Sequence, residues 1–274
     1  MNVFFHIINY NVNLPLLINM RKMNICKSTG CKSVILSVLC VLVCFSTGFR
    51  SGNYPQILDY TQYLTPVRDA GPLNTRNAFA VLYATEYHIF RKTGKKIPLS
   101  ALHLYYSSHN QSDTVQYNKG VKIEDCFQVM KTTGVMAEYS WPYDRRSDIP
   151  GLLFSTQIAE RYKVKDIRPV FREFDKNPFD LVQESLYDKG PVIVELKWPS
   201  SWSESDGKQV LPDTLRIPPG EFSLRAICLT GFNEKEKYFM FKAANGPGWG
   251  FNGYGRIAYE DLRKFMTRAW TVVV

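Results

Sequence analysis

Residues Thr65–Phe90 read TPVRDAGPLNTRNAFAVLYATEYHIF, a short polar loop that runs directly into a long apolar segment. Asn74 or Thr75 is placed to cap a helix start. From Ala78 onward the apolar positions are too dense for a one-sided stripe, which predicts a helix buried over most of its surface. Gly94 stops it. The first helical turn carries Arg76. A cation there opposes the positive end of the helix dipole by up to about 1 kcal/mol, so its surroundings decide what the site is for.

Working outward, PLSALHLYYSS (Pro98–Ser108) and KIEDCFQVMKTTG (Lys122–Gly134) read as two further helices, joined by the polar loop HNQSDTVQYNKG. YSWPYD (Tyr139–Asp144) is a proline-bearing aromatic turn. After about Pro150 the grammar changes. NPFDLVQESLYDKG is a short helix ending at Gly190, and PVIVEL (Pro191–Leu196) is a buried strand. AICLTGF (Ala226–Phe232), KYFMFKA (Lys237–Ala243), YGRIAY (Tyr254–Tyr259) and AWTVVV (Ala269–Val274) read as further strands. A helical half followed by a strand-rich half predicts an α+β protein of two lobes with a cleft between them.

The 274 residues are 45% hydrophobic and carry a net charge of +9. Residues 1–48 hold Arg21, Lys22, Lys27 and Lys32 and no acid, so Phe49–Val274 carries 30 − 25 = +5. Those bases are scattered rather than clustered with aromatics, which argues against nucleic-acid binding. Residues 1–48 read as a leader: basic MRKMNICKSTGCKS, the apolar run VILSVLCVLVCF (Val34–Phe45), then small Ser46–Gly48. The run is shorter than the roughly 20 residues of a membrane span. Secretion is expected, with no stable span once the leader is removed; an uncleaved anchor through Val34–Phe45 is the alternative. Translation starting at Met20 or Met23 would shorten the leader. Four of the six cysteines lie in the leader, and Cys126 and Cys228 are expected as two buried thiols rather than a disulfide.

From about Asn53 to Val274 the layout resembles the papain-like cysteine peptidases. TPVRDAGPLNTRNAFA resembles the family's V-K-N-Q-G-P/S-x-G-[TS]-C-W-A-F-[AS] opening to its central helix. LRAICLTGF resembles its [DN]-H-A-V-x-[IV]-V-G-[YF] strand. FKAANGPGWGFNGYGRIAYEDL resembles its I-K-N-S-W-G-x-x-W-G-x-[NG]-G-Y segment, with Gly246, Trp249, Gly250, Asn252, Gly253 and Tyr254 in register. The resemblance implies a papain-like two-lobed fold in residues 49–274: a helical lobe over about 53–165 and an antiparallel, barrel-like β lobe over about 166–274.

The family's chemistry needs a thiolate at the helix start, a His as base and acid, an Asn that orients the His, and a Gln that donates to the oxyanion. Carried over position by position, the resemblance puts Arg76 at the nucleophile, Arg225 at the base, Ala243 at the orienting Asn and Ala70 at the oxyanion Gln. Asn245 stands where an indole shields the His–Asn pair. Thr75 is adjacent but needs a base. Beyond the leader the histidines are His88, His103 and His109, and His88 lies about 18 Å along the helix at 1.5 Å per residue. By the same alignment Cys126 falls mid-helix and Cys228 inside a strand. No set of residues has metal-ligand spacing and no glycine loop resembles a phosphate cradle, so neither metal nor cofactor is expected. The sequence thus predicts a pseudopeptidase that is not an enzyme. Alternatives are a hydrolase with an unrecognised nucleophile, or a structural secreted component.

Two guanidinium groups 4 Å apart repel by about 4 kcal/mol at an effective dielectric near 20. Arg76 and Arg225 must therefore diverge, pair with acids such as Asp69 or Glu221, or share an anion. YNKG resembles the family's C-N-G-G turn, which puts Gly120 where a substrate backbone would pair; the bridge-forming cysteines of that region are Leu73 and Tyr117 here. The expected partner is a peptide or protein in the cleft, with Arg76, Arg225 and Gly120 as ligand-binding residues and an anion as a further ligand.

Overall fold

The computed structural model describes residues 54–109, 119–144, 161–203, 206–208, 210 and 222–274. The leader, most of the loop before Lys122, Tyr117 and Glu221 lie outside them. The helix read from Thr65–Phe90 is α1 (Arg76–Thr93), closed by Gly94 in the left-handed conformation, φ 72°. Residues 78–87 are buried without interruption, as expected of a helix enclosed on all sides. Around it stand α2 (Ala101–His109) and α3 (Ile123–Thr132), with the small hairpin β2 (Val135–Met136) and β3 (Arg161–Tyr162). Phe79, Leu82, Leu102, Ile123 and Met130 are among the residues filling this core.

Six strands of the second half and one from the first form a seven-stranded antiparallel sheet. Its strands are β1 (Ile57–Asp59), β4 (Asp166–Pro169), β5 (Val192–Pro199), β6 (Phe222–Asn233), β7 (Tyr238–Lys242), β8 (Tyr254–Ala258) and β9 (Met266–Val273). The order is β4-β9-β5-β6-β7-β8, with β1 on the end of β6. Helix α4 (Pro178–Lys189), the single turn α5 (Ser200–Ser203) and α6 (Tyr259–Phe265) pack beside it. Phe179, Leu186, Val194, Leu229, Phe239 and Leu262 belong to this second core. Two backbone details explain sequence signals. A side chain at Gly231 would meet the Leu58 carbonyl at 2.2 Å, so glycine is what lets β1 close on β6. At Gly253, φ is 86° and a Cβ would strike Val67 at 2.3 Å.

The fold is the mixed helix and antiparallel sheet arrangement that the sequence implied, and it departs from the reading in its ends and short pieces. Strand β6 starts four residues earlier than expected and β9 three earlier. Helix α6 takes in Tyr259, expected as the end of a strand, and a stretch to which the sequence reading gave no element. The signal was present: Glu260 and Asp261 in its first turn and Arg263 and Lys264 in its last complement the helix dipole. Strands β1 and β4 are short and carry polar residues, so neither showed a period.

One buried polar cluster ties the loop before α1 to the rest. Glu86 of α1, 1% exposed, accepts from the Arg68 guanidinium at 2.5 Å and the Leu99 amide at 2.7 Å. Its second oxygen accepts from the Thr65 hydroxyl. Arg68 also donates to the Leu99 carbonyl at 2.6 Å and meets Glu138 at 3.3 Å. Lys242 of β7 donates to the Thr65 carbonyl at 2.5 Å, its ammonium 3.9 Å from the centre of the Tyr83 ring. Burial pushes Lys242 down to about 8, although Glu86 draws it up.

Removing one partner of such a buried pair strands the other charge. Glu86→Ala is therefore expected to cost about 3–5 kcal/mol, read as a lowered urea midpoint; a loss under 1 kcal/mol contradicts this role. His103, 3% exposed in α2, is pushed down to about 4 by burial and then by Arg161. The unfolded chain binds that proton near 6.5, so stability present above pH 6.5 is lost as pH falls toward 4, on the order of 3 kcal/mol. His103→Leu should flatten the drop of melting temperature with pH across this window relative to wild type.

Candidate functional site at the cleft floor

The loop and the strand segments that form the floor are fixed to each other by main chain. The Ala70 amide donates to the Ala244 carbonyl at 2.9 Å, the Gly246 amide donates to the Arg68 carbonyl at 3.3 Å, and Asp69 bridges Asn245. Tyr143 extends the Arg68–Glu138 contact to the same place. Its amide donates to Glu138 at 2.8 Å, and its hydroxyl donates to the Ala70 carbonyl at 2.8 Å and lies 2.6 Å from the Thr75 hydroxyl. The expected cap is corrected here. Thr75 does occupy the cap position, but its side chain bonds Tyr143 and leaves the first turn of α1 without a side-chain cap.

Arg76 opens α1, and Arg225 lies on β6 opposite Leu196 of β5. Both line one cavity of about 20 Å³, room for roughly one water. Phe79, Trp198, Ala243 and Asn245 contribute to its walls. The Arg225 guanidinium sits 4.4 Å from the centre of the Trp198 ring, a face-on cation–π contact. Burial, and then the charge of Arg76, push Arg225 down to about 9 from an ordinary 12.5. Among the described residues neither arginine meets a carboxylate, and the buried Nε of Arg76 has no acceptor. Pairing with Asp69 does not occur: that carboxylate accepts from the Gly71 amide at 2.8 Å.

The other sequence-predicted positions are brought to the same floor. Ala70 is fully buried and Ala243 nearly so, its amide donating to the Gly253 carbonyl at 3.1 Å. Gly120 is exposed beside the start of α1, where a Cβ would stand 3.9 Å from Asn74. His88, His103 and His109 lie on α1 and α2, away from it. Cys126 on α3 and Cys228 on β6 are unpaired and fully buried, and burial pushes both thiols up to about 12. Two residues escaped the sequence reading. Lys242 is a buried lysine one position before Ala243. Asn77 donates to the Val121 carbonyl at 3.0 Å and accepts from the Ala226 amide at 2.9 Å, joining the Gly120 wall to the strand of Arg225. A polar residue directly before the buried apolar run that begins at Ala78 was the available signal.

Residues 54–269 match the family described as papain family cysteine protease. The chain belongs to that family. It is 30% identical over 227 residues to cathepsin 7 of Mus musculus and 28% identical over 220 to cathepsin Q of Rattus norvegicus. The matches take in 76% and 75% of this chain, and 62% and 59% of those proteins. The solved structure of xylellain, a cysteine protease from Xylella fastidiosa, superposes with a TM-score of 0.63 at 23% identity, covering 80% of this chain and 86% of that one. Family membership overturns the expectation that this chain is not an enzyme: the family is one of cysteine proteases and its relatives here include cathepsins.

With no acid beside them among the described residues, the two arginines oppose each other in the free protein. Arg76→Ala removes that repulsion and the unfavourable dipole contact, so it should stabilise the free protein by about 1 kcal/mol in dilute buffer. Thermal melts at rising sodium chloride should show the advantage shrink; a variant less stable than wild type at every salt contradicts it.

Proposed function

We propose that the cleft binds a peptide or protein segment bearing an anionic group, held at the floor by Arg76 and Arg225 and along the wall by Gly120. The observation that carries this reading is a pair of arginines in one cavity with no carboxylate partner among the described residues. A shared anion would relieve their repulsion and add charge-assisted bonds. The free N–H groups at the start of α1 favour an anion in the same place. The resemblance supports assigning Arg76, Arg225, Ala243 and Ala70 to the family's nucleophile, base, orienting and oxyanion positions. Export through a leader at residues 1–48, ahead of a 49–274 domain with lobes near 53–165 and 166–274, belongs to the same proposal. It rests on the basic–apolar–small pattern of that leader. No helix of the described residues is long and apolar enough to cross a membrane.

Thermal-shift titration with phosphate, sulfate and short peptide acids tests the binding. At least one should raise the melting temperature of wild type and leave the Arg76→Ala plus Arg225→Ala protein unmoved. No shift in wild type, or equal shifts in both, overturns it.

Peptide hydrolysis is the second reading, favoured by membership of a cysteine-protease family. Both described thiols are enclosed, so a reaction at either requires a local opening that exposes it. Turnover of fluorogenic peptides by wild type, compared with Cys126→Ser and Cys228→Ser, measures it directly.

A further inference from the structure

We infer that the cleft floor is a receptor for a single carboxylate, gripped between the guanidinium groups of Arg76 and Arg225. The inference rests on the cleft being a ligand site and names what that site selects. Its first support is the chemistry left over at the floor. Ala70, Ala243 and Ala244 have no polar side-chain atoms, and the Ala70 and Ala243 amides are already spent on the Ala244 and Gly253 carbonyls. The Ala70 carbonyl is taken by Tyr143, and the Thr75 hydroxyl lies against the same phenol. What the two arginines present is donors only. A ligand that satisfies them must bring acceptors and negative charge.

The second support is shape. At about 20 Å³ the cavity holds roughly one water, so a ligand's charged group enters only as the two side chains give way, which favours a small group over a large one. Trp198, 2% exposed, has its ring centre 4.4 Å from the Arg225 guanidinium carbon and closes off that side of the group, leaving its other N–H donors for a ligand. A planar carboxylate matches a guanidinium fork in two parallel bonds, while phosphate and sulfate are bulkier and tetrahedral. The carboxylate has two sources in a peptide: a free C-terminus, or an Asp or Glu side chain.

Isothermal titration on the full chain separates these. Four tripeptides serve as probes: acetyl-trialanine as acid and as amide, and acetyl-Ala-Glu-Ala-amide against its Gln counterpart. At least one carboxylate peptide should bind tenfold or more tightly than its neutral twin, and which pair discriminates names the source. Acetate should outcompete sulfate and phosphate at equal ionic strength. Arg225→Gln and Arg76→Gln should each abolish the discrimination, and Arg225→Lys should weaken it by losing the fork while keeping the charge. Equal binding of acid and amide, with sulfate or phosphate equal to or better than acetate, overturns the carboxylate receptor and leaves the anion site standing. Equal binding of acids, amides and inorganic anions to wild type and both Gln variants overturns the cleft site as well.

Discussion

The Glu86–Arg68 pair is the constraint on which the cleft depends. It lies inside the helical core, where a charge left alone is costly, and it is satisfied on nearly every side. Through Glu86 the pair holds the loops that begin α1 and α2. Through Glu138 and Tyr143 it reaches the Ala70 carbonyl. Through Thr65 it reaches Lys242 on the sheet, next to Ala243. Both sides of the floor are thus positioned by one connected set of polar contacts. Its members are individually modest in water, but inside the core their loss leaves groups unmet.

The floor itself is built on the opposite principle. The main-chain amides of Ala70 and Ala243 are tied off by neighbours, its small side chains are alanines, and its cations, beside Lys242, are Arg76 and Arg225, which lack an acid nearby among the described residues. A stability-minded arrangement would place a carboxylate between them. The cation–π contact on Trp198 offsets part of the burial of Arg225 but does nothing for its repulsion from Arg76. The scaffold of a cysteine-protease family therefore carries a floor of positive charge, and any activity of the chain must operate in its presence.

Much of this was legible in the sequence. The punctuated loop, the dense apolar run and the closing glycine gave α1 to within a residue or two, and the glycine-rich Phe241–Leu262 segment placed the sheet side of the cleft. Arg76 and Arg225, 149 positions apart in the chain, both line one cavity. What stayed hidden had physical reasons. Lys242 looks like a solvated lysine until tertiary packing removes its water. Thr75 has the composition of a helix cap, and only a tyrosine 68 residues onward diverts it. Short edge strands have no period to read. Whether a family member works as an enzyme was not a matter its local residue pattern could decide, and the sequence-based negative did not survive the comparison with relatives.

The Asn77 amide spans from the Val121 carbonyl, on the helical side, to the Ala226 amide on β6. It is a strut of fixed length across the mouth, set one residue from each arginine. Gape is thereby coupled to charge: prising the two sides apart strains the same turn and strand that carry the cations, so the spacing of the walls and the spacing of the charges move together.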